Sequence, residues 1–140
     1  MNLSVNQAEG RVPVTVLAIE GELDGSNYKQ VIVKVMELYQ SGTRSLLLDL
    51  TNMPYMSSSG VVAFHNIAVL LHTGSLPYQV DGWSALHAAA EEGGGFRKEV
   101  KVLNPQPRVL HTFEISGISQ FLEIFTDYTT AINSFSVSET

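Results

Sequence analysis

Hydrophobic and polar positions follow two periods along this chain, and the change from one to the other predicts strands and helices in turn. Residues 12–20 and 44–50 are short runs rich in β-branched or apolar residues, which is typical of buried strands. The apolar residues between these runs recur at helical spacing, at Tyr28, Val31, Ile32, Val35 and Tyr39. Residues 25–41 are therefore predicted to form an amphipathic helix, and a shorter strand is expected at residues 3–7.

The second half of the chain repeats this alternation. Residues 60–72 are apolar on almost every side, which indicates a largely buried helix. Downstream we expect a strand, a helix, a last strand and a last helix, at residues 98–103, from Pro107, at residues 121–125 and from Asp127. In the first of these, Val100 and Val102 alternate with Glu99 and Lys101. Strands that alternate with helices predict an α/β fold, with a mixed and mostly parallel sheet of about five strands flanked by about four helices.

One segment interrupts this rhythm. Residues 73–96 contain prolines and a run of three glycines, so we predict an inserted loop that carries a short helix over residues 83–92. The tail at residues 136–140 is expected to be disordered. The length of the chain fits one domain over residues 1–140.

Charge and composition narrow the range of functions. Acidic residues outnumber basic ones by 14 to 8, which gives a net charge of −6 and argues against binding to nucleic acid. No segment reaches the roughly 18–20 apolar residues of a membrane span, and the first residues lack the pattern of a secretory signal. The chain has no cysteine and hence no disulfide or thiolate metal site. These features are compatible with a cytoplasmic location, which we expect, and with no membrane insertion; they leave open a protein that acts by binding another protein.

The side chains that hydrolases and metalloproteins use are present but badly spaced. Around Ser58 the Gly-x-Ser-x-Gly pattern of a nucleophile elbow is missing, because Met56 stands two residues earlier. His65 and His72 are seven residues apart, which is not the spacing of two metal ligands on a helix. The three glycines lack the lysine of a phosphate-binding loop. We therefore predict no enzyme activity, no metal and no cofactor.

The most informative segment is the polar loop at residues 51–59, which follows a buried strand and leads into a buried helix. Three serines and a glycine open that helix, at Ser57, Ser58, Ser59 and Gly60. The first turn of a helix has free N–H groups and a positive dipole end, so a serine there can cap the helix and can also carry a phosphate. These two roles are compatible. Asp24 is likewise predicted to be the N-cap of the first helix.

Three segments together resemble the STAS domain family, and within it the anti-sigma factor antagonists. They are Gly21-Glu22-Leu23-Asp24, the serine loop with Gly60, and residues 117–125. The resemblance covers roughly residues 10–72 and 97–135, most of the chain, and it implies a STAS-like fold for a single domain over residues 1–140. It also implies a phosphorylation-switched binding module for a serine-kinase anti-sigma factor, which regulates sigma-factor-dependent transcription in bacteria.

The same resemblance implies which residues form the site. The phosphorylated serine of the family falls on Ser58, with Ser57 and Ser59 as alternative acceptors. The expected partner-binding residues are Asp24, Ser57, Ser58, Ser59 and Gly60. Ser57 stands where the family usually has an aspartate, so a second hypothesis is a scaffold subunit of a larger signalling or transporter-associated complex that is not phosphorylated. Whether the chain also forms a homodimer is left open by the sequence.

Overall fold

The computed structural model of the chain describes residues 1–75 and 97–136. Of the predicted insert at residues 73–96, the structure describes Thr73, Gly74 and Ser75 at its start; the short helix expected at residues 83–92 lies outside the described residues. The predicted tail lies outside them as well, apart from Ser136.

The described residues form five strands and four α-helices, in the order that the sequence predicts. The strands are β1 (Asn2–Glu9), β2 (Pro13–Glu20), β3 (Leu46–Asp49), β4 (Val100–Leu103) and β5 (Glu123–Phe125). The helices are α1 (Tyr28–Gln40), α2 (Ser58–Thr73), α3 (Pro107–Ser116) and α4 (Tyr128–Ser134), with one 3₁₀ turn at Ile118–Gln120. In the part of the chain that the structure describes, no helix has the length and apolar character that crossing a membrane requires.

The strands form one sheet in the order β1-β2-β3-β4-β5. β1 is antiparallel to β2, while the other three neighbouring pairs are parallel. The predicted mixed and mostly parallel sheet is thus confirmed. Because β2, β3 and β4 run in the same direction, the loops that follow them meet at one end of the sheet, where binding sites of α/β folds usually lie.

Helices α1, α2 and α3 cover one face of this sheet. Their buried side chains pack against alternate residues of β2, β3 and β4, including Leu17, Leu48 and Val102. Phe64 of α2 meets Phe113 of α3 edge to face, with ring centroids 6.0 Å apart. α2 is buried over most of its circumference, as its apolar sequence predicts.

The opposite face of the sheet is covered by α4. A second core cluster there joins residues of β2, β3 and β4 to the last helix and the residue after it, and consists of Val14, Val16, Leu47, Leu103, Ala131, Ile132 and Phe135. β3 and β4 are therefore buried on both faces. This arrangement explains the continuous apolar run in β3.

Lys101 shows that the alternation in β4 is misleading. Alternation of this kind is typical of a half-buried strand, yet Lys101 is only 7% exposed. Its Nζ donates to the carbonyl oxygen of Ser134 at 3.1 Å and to the Ser134 hydroxyl at 2.9 Å. The same Nζ lies 3.5 Å from Oε1 of Glu123 and 4.9 Å from the ring centroid of Phe135. Lys101 thus connects β4 to β5 and α4.

His65 of α2 is a buried titratable group, and it gives a pH-dependent prediction. Burial, and then the positive charge of Arg97, lower the pKa of His65 from its ordinary value of 6.5. The unfolded chain therefore binds more protons than the folded chain below that value, and stability is lost as the pH falls from 6.5 through the folded pKa. We expect the melting temperature to decline on acidification from about pH 7 to pH 5.

In a His65→Phe variant the melting temperature should decline less on acidification, because an apolar ring replaces the titrating imidazole. Thermal melts of both proteins across the pH range measure the difference. His111→Gln is the matched control, since His111 is exposed on α3. An acid-induced decline of equal steepness in wild type and His65→Phe would contradict the prediction.

Candidate functional site

The loop between β3 and α2 is anchored to the core and to the neighbouring strand. Leu50, Met53 and Met56 are fully buried along it. The N–H of Leu50 donates to the carbonyl of Leu103 at 2.9 Å, and the Gln106 amide donates to the carbonyl of Thr51 at 2.8 Å. The loop is therefore held in place by its own apolar residues, by the end of β4 and by the segment that follows it.

The three serines at the start of α2 have different roles. Ser57 is the N-cap: its backbone is extended (φ −83°, ψ 177°) and its hydroxyl accepts the N–H of Ser59 at 3.2 Å. Ser58 is the first residue of the helix and is exposed, whereas Ser57 and Ser59 are half-buried. The capping role predicted for one serine thus belongs to Ser57, and the hydroxyl of Ser58 is accessible.

Gly60 has no room for a side chain. A Cβ atom built on it would lie 2.8 Å from Sδ of Met56 and 3.1 Å from Cδ2 of Leu23, and still closer to Cγ of Met56. The backbone of α2 can approach these buried side chains only because residue 60 is glycine. Gly60 is buried, so its contribution to the site is to set the position of the serines.

The prediction that Asp24 caps α1 is wrong. The N-cap is Asn27, and its side chain makes no capping hydrogen bond to the helix. Oδ1 of Asp24 instead accepts the N–H of Ser26 at 2.9 Å and its hydroxyl at 2.5 Å, which closes a turn before the helix. The Asn27 amide oxygen in turn accepts the N–H of Asp24 at 3.0 Å. Asp24 lies too early in the chain to reach the first turn of a helix that begins at Tyr28.

The carboxylate of Asp24 stays charged to lower pH than an ordinary aspartate. Its hydrogen bonds from the hydroxyl and the N–H of Ser26 lower its pKa from 3.8. A fixed negative charge therefore lies on the Asp24 turn at neutral pH.

The Asp24 turn and the serine loop are joined through backbone atoms. The N–H of Leu23 donates to the carbonyl of Tyr55 at 3.1 Å, and the N–H of Ser57 donates to the carbonyl of Leu23 at 2.9 Å. A Cβ on Gly25 would lie 3.5 Å from the hydroxyl oxygen of Ser59. The structure thus brings Asp24 and the three serines onto one surface, as the family resemblance implies.

α3 adds residues to this surface that the sequence analysis missed. The Thr112 hydroxyl donates to the carbonyl of Met56 at 3.1 Å, so α3 lies beside the serine loop. The guanidinium of Arg108, one turn earlier, stacks over the ring of Tyr55 with its Cζ atom 4.8 Å from the ring centroid. No motif in the sequence marks this contact, because Arg108 and Tyr55 are more than fifty residues apart. We call the residues Asp24, Tyr55, Ser57, Ser58, Ser59 and Arg108 the serine-loop surface.

The chemistry available at this surface is that of an exposed hydroxyl. His65 is buried and seven residues after Ser58, about 10 Å further along the helix axis, so it is out of reach as a base. Among residues 1–75 and 97–136, no three His, Asp or Glu side chains are grouped so as to hold a metal ion. The Ser58 hydroxyl lies at the positive end of α2, where an added phosphate would be stabilised by the helix dipole.

Comparison with known families identifies a domain within this chain. A profile described as the STAS domain matches residues 6–74, which extend from β1 to the end of α2 and include the Asp24 turn and the serine loop. A search of curated protein sequences finds no significant match.

Solved structures share the fold at low identity. An anti-sigma factor antagonist from Mycobacterium paratuberculosis is 15% identical with a TM-score of 0.64, over 95% of this chain and 92% of that chain. A candidate anti-sigma factor antagonist from Thermotoga maritima is 14% identical with a TM-score of 0.64, over 93% and 91% of the two chains. The STAS domain of a SulP transporter from Vibrio cholerae is 16% identical with a TM-score of 0.55, over 86% and 77% of the two chains. These matches support the predicted fold.

Proposed function

Because this chain belongs to the STAS domain family, we propose that it is an anti-sigma factor antagonist, a binding module rather than an enzyme, in the bacterial cytoplasm. Its partner is a serine-kinase anti-sigma factor, which phosphorylates Ser58. The unphosphorylated chain binds the kinase and so releases a sigma factor for transcription. Phosphorylation ends the binding.

The exposure of Ser58 at the first position of α2 is the observation that carries this proposal. A kinase needs a hydroxyl that reaches solvent, and the capping hydrogen bond of Ser57 leaves the hydroxyl of Ser58 free of that role. The backbone around Ser58 is fixed by Gly60 and by the bond from Ser57 to Leu23. Ser57 and Ser59 are the alternative acceptors, and their partial burial makes them poorer substrates.

A phosphate on Ser58 would change the surface more than the fold. It adds about −1.5 to −2 charges at neutral pH, and the first turn of α2 contains no acidic residue that would repel it. The negative charge of Asp24 lies on the adjoining turn, so phosphorylation makes this part of the surface strongly anionic. A partner surface matched to the neutral serine then meets repulsion and has to desolvate a hydrated group.

The decisive experiment maps the phosphate and measures its effect. We expect the kinase that co-purifies with this chain to modify Ser58 in the presence of ATP, and Ser58→Ala to abolish the modification. We also expect Ser58→Glu to bind that kinase about 5–150-fold more weakly than wild type, because a coupling free energy of about 1–3 kcal/mol is typical. Mass spectrometry locates the phosphate, and isothermal titration calorimetry gives the dissociation constants.

Ser41→Ala and Ser41→Glu are the matched controls. Ser41 is an exposed serine at the C-terminal end of α1, and changing it should leave both modification and affinity unaltered. Absence of phosphate on all three serines, together with equal affinities of wild type and Ser58→Glu, would refute the switch.

The alternative function is a STAS scaffold subunit of a larger signalling or transporter-associated complex, without phosphorylation. Two observations favour it: Ser57 uses its hydroxyl as a helix cap where the family usually has an aspartate, and the fold is shared with a transporter STAS domain. On this hypothesis the kinase leaves the chain unmodified, while the partner complex still binds the Ser58→Ala and Ser58→Glu variants equally well. The same measurements therefore separate the two functions.

A further inference from the structure

β1 is an edge strand of the sheet, and no described residue covers its outer edge by strand pairing. Among the described residues it pairs only with β2, over the full length Asn2–Glu9, so its other edge presents unpaired N–H and C=O groups. Edge strands are usually protected against pairing with another chain by a lysine, a proline, a bulge or a short length. β1 is eight residues long, contains no lysine or proline, and carries its one charge at Glu9. This edge is suited to pairing with another strand.

An apolar groove runs between this edge and helix α1. It has a volume of about 370 Å³ and is lined by Leu3, Lys29, Gln30, Val33, Lys34 and Glu37. Val33 is 53% exposed, although its neighbours Val31 and Val35 are fully buried. A large apolar side chain is thus held in solvent beside a free strand edge.

The charged residues on either side of Val33 can pair with the same residues of a second copy. Lys29 stands four residues before Val33 and Glu37 stands four residues after it, so the three side chains form one ridge along α1. When a second α1 lies antiparallel across a two-fold axis at Val33, Lys29 of each copy is opposite Glu37 of the other. Among residues 1–75 and 97–136, neither Lys29 nor Glu37 has a salt-bridge partner within the chain.

From this symmetry we propose that the occupant of the groove is a second copy of this chain. The two β1 strands pair antiparallel through their free edges and join the two sheets into one. The two α1 helices lie side by side on the same face of that sheet, with Val33 and Leu3 of each copy at the apolar centre. Lys29 and Glu37 form two equivalent ion pairs across the axis.

Charge reversal with mixing tests this arrangement. We expect the wild-type chain to sediment as a dimer at high concentration and to dissociate on dilution. Lys29→Glu alone and Glu37→Lys alone each place two pairs of like charges across the axis, and each should raise the dimer dissociation constant roughly tenfold or more. An equimolar mixture of the two variants should recover the dimer, because every opposed pair in the heterodimer is again of opposite sign.

Sedimentation velocity over a dilution series measures these dissociation constants, and circular dichroism checks that each variant is folded. Lys98→Glu and Glu114→Lys are controls, since both residues are exposed and lie outside the groove. A wild-type chain that is monomeric at every concentration overturns the proposal. So does a dimer that is indifferent to both reversals, or one that mixing fails to restore. Kinase binding and phosphorylation do not enter this measurement, so its outcome is independent of the proposed function.

Discussion

A Lys101→Ala variant is expected to lose about 2–4 kcal/mol of unfolding free energy. The change removes three buried methylene groups and the ammonium group from between the sheet and α4, and it leaves the carbonyl and hydroxyl of Ser134 without their donor. Glu123 is partly exposed and can be hydrated in its place, so it contributes less to the loss. Chemical denaturation monitored by circular dichroism measures the change.

Lys101→Met separates the two contributions. Methionine fills much of the same volume, so this variant keeps the packing and loses only the hydrogen bonds and the charge. We expect it to lose less stability than Lys101→Ala, while amide hydrogens in α4 exchange faster in both variants. Lys98→Ala is the control, since Lys98 is exposed and its removal should change stability by less than about 0.5 kcal/mol. A Lys101→Ala protein as stable as the Lys98→Ala control would contradict the role assigned to Lys101.

Gly60→Ala should lower the unfolding free energy by about 1–3 kcal/mol, although alanine is the better helix former. The added methyl group would overlap Met56 and press on Leu23, both fully buried. Either α2 or Met56 has to move, and Met56 directly precedes the capping serine. We therefore expect weaker partner binding even at temperatures where the variant is fully folded. Denaturation and calorimetry measure the two effects.

A double-mutant cycle with Met56→Ala identifies the cause. Once the Met56 side chain is truncated, the two closest contacts of the added methyl group are gone and Cδ2 of Leu23 at 3.1 Å remains, so Gly60→Ala should cost much less than it does in the wild-type background. The interaction energy between the two sites is expected to be about 0.5–3 kcal/mol. If the two changes are additive, the close approach at Gly60 is not what stabilises the loop.

Local signals in the sequence predicted the strands and α-helices of the described residues in the right order. The all-round apolar run at residues 60–72 is α2, which extends from Ser58 to Thr73. Gly117 ends α3 in the left-handed region with φ +82°, and the side chain of Asp127 caps α4 by accepting the N–H of Thr130. Each of these features depends on residues that are close together in the sequence, so each can be predicted from the sequence alone.

Features that depend on distant parts of the chain were not predictable in this way. The burial of Lys101 is caused by α4, whose Ser134 lies 33 residues downstream. The error at Asp24 is an exception, because its cause is local: both Asp24 and Asn27 are good capping residues, and the turn closed by Ser26 decides between them. The contact of Arg108 with Tyr55 exists only because α3 packs beside the serine loop. The exposure of Ser58 likewise required the three-dimensional arrangement.

The two hydrogen bonds that join Leu23 to Tyr55 and Ser57 are made by main-chain atoms alone. Every amino acid except proline has the N–H group that such a hydrogen bond needs as its donor. The distance between the Asp24 turn and the serine loop can therefore stay the same when their exposed side chains are replaced. Relatives that diverge in these loops can therefore acquire new binding preferences while the scaffold beneath stays the same.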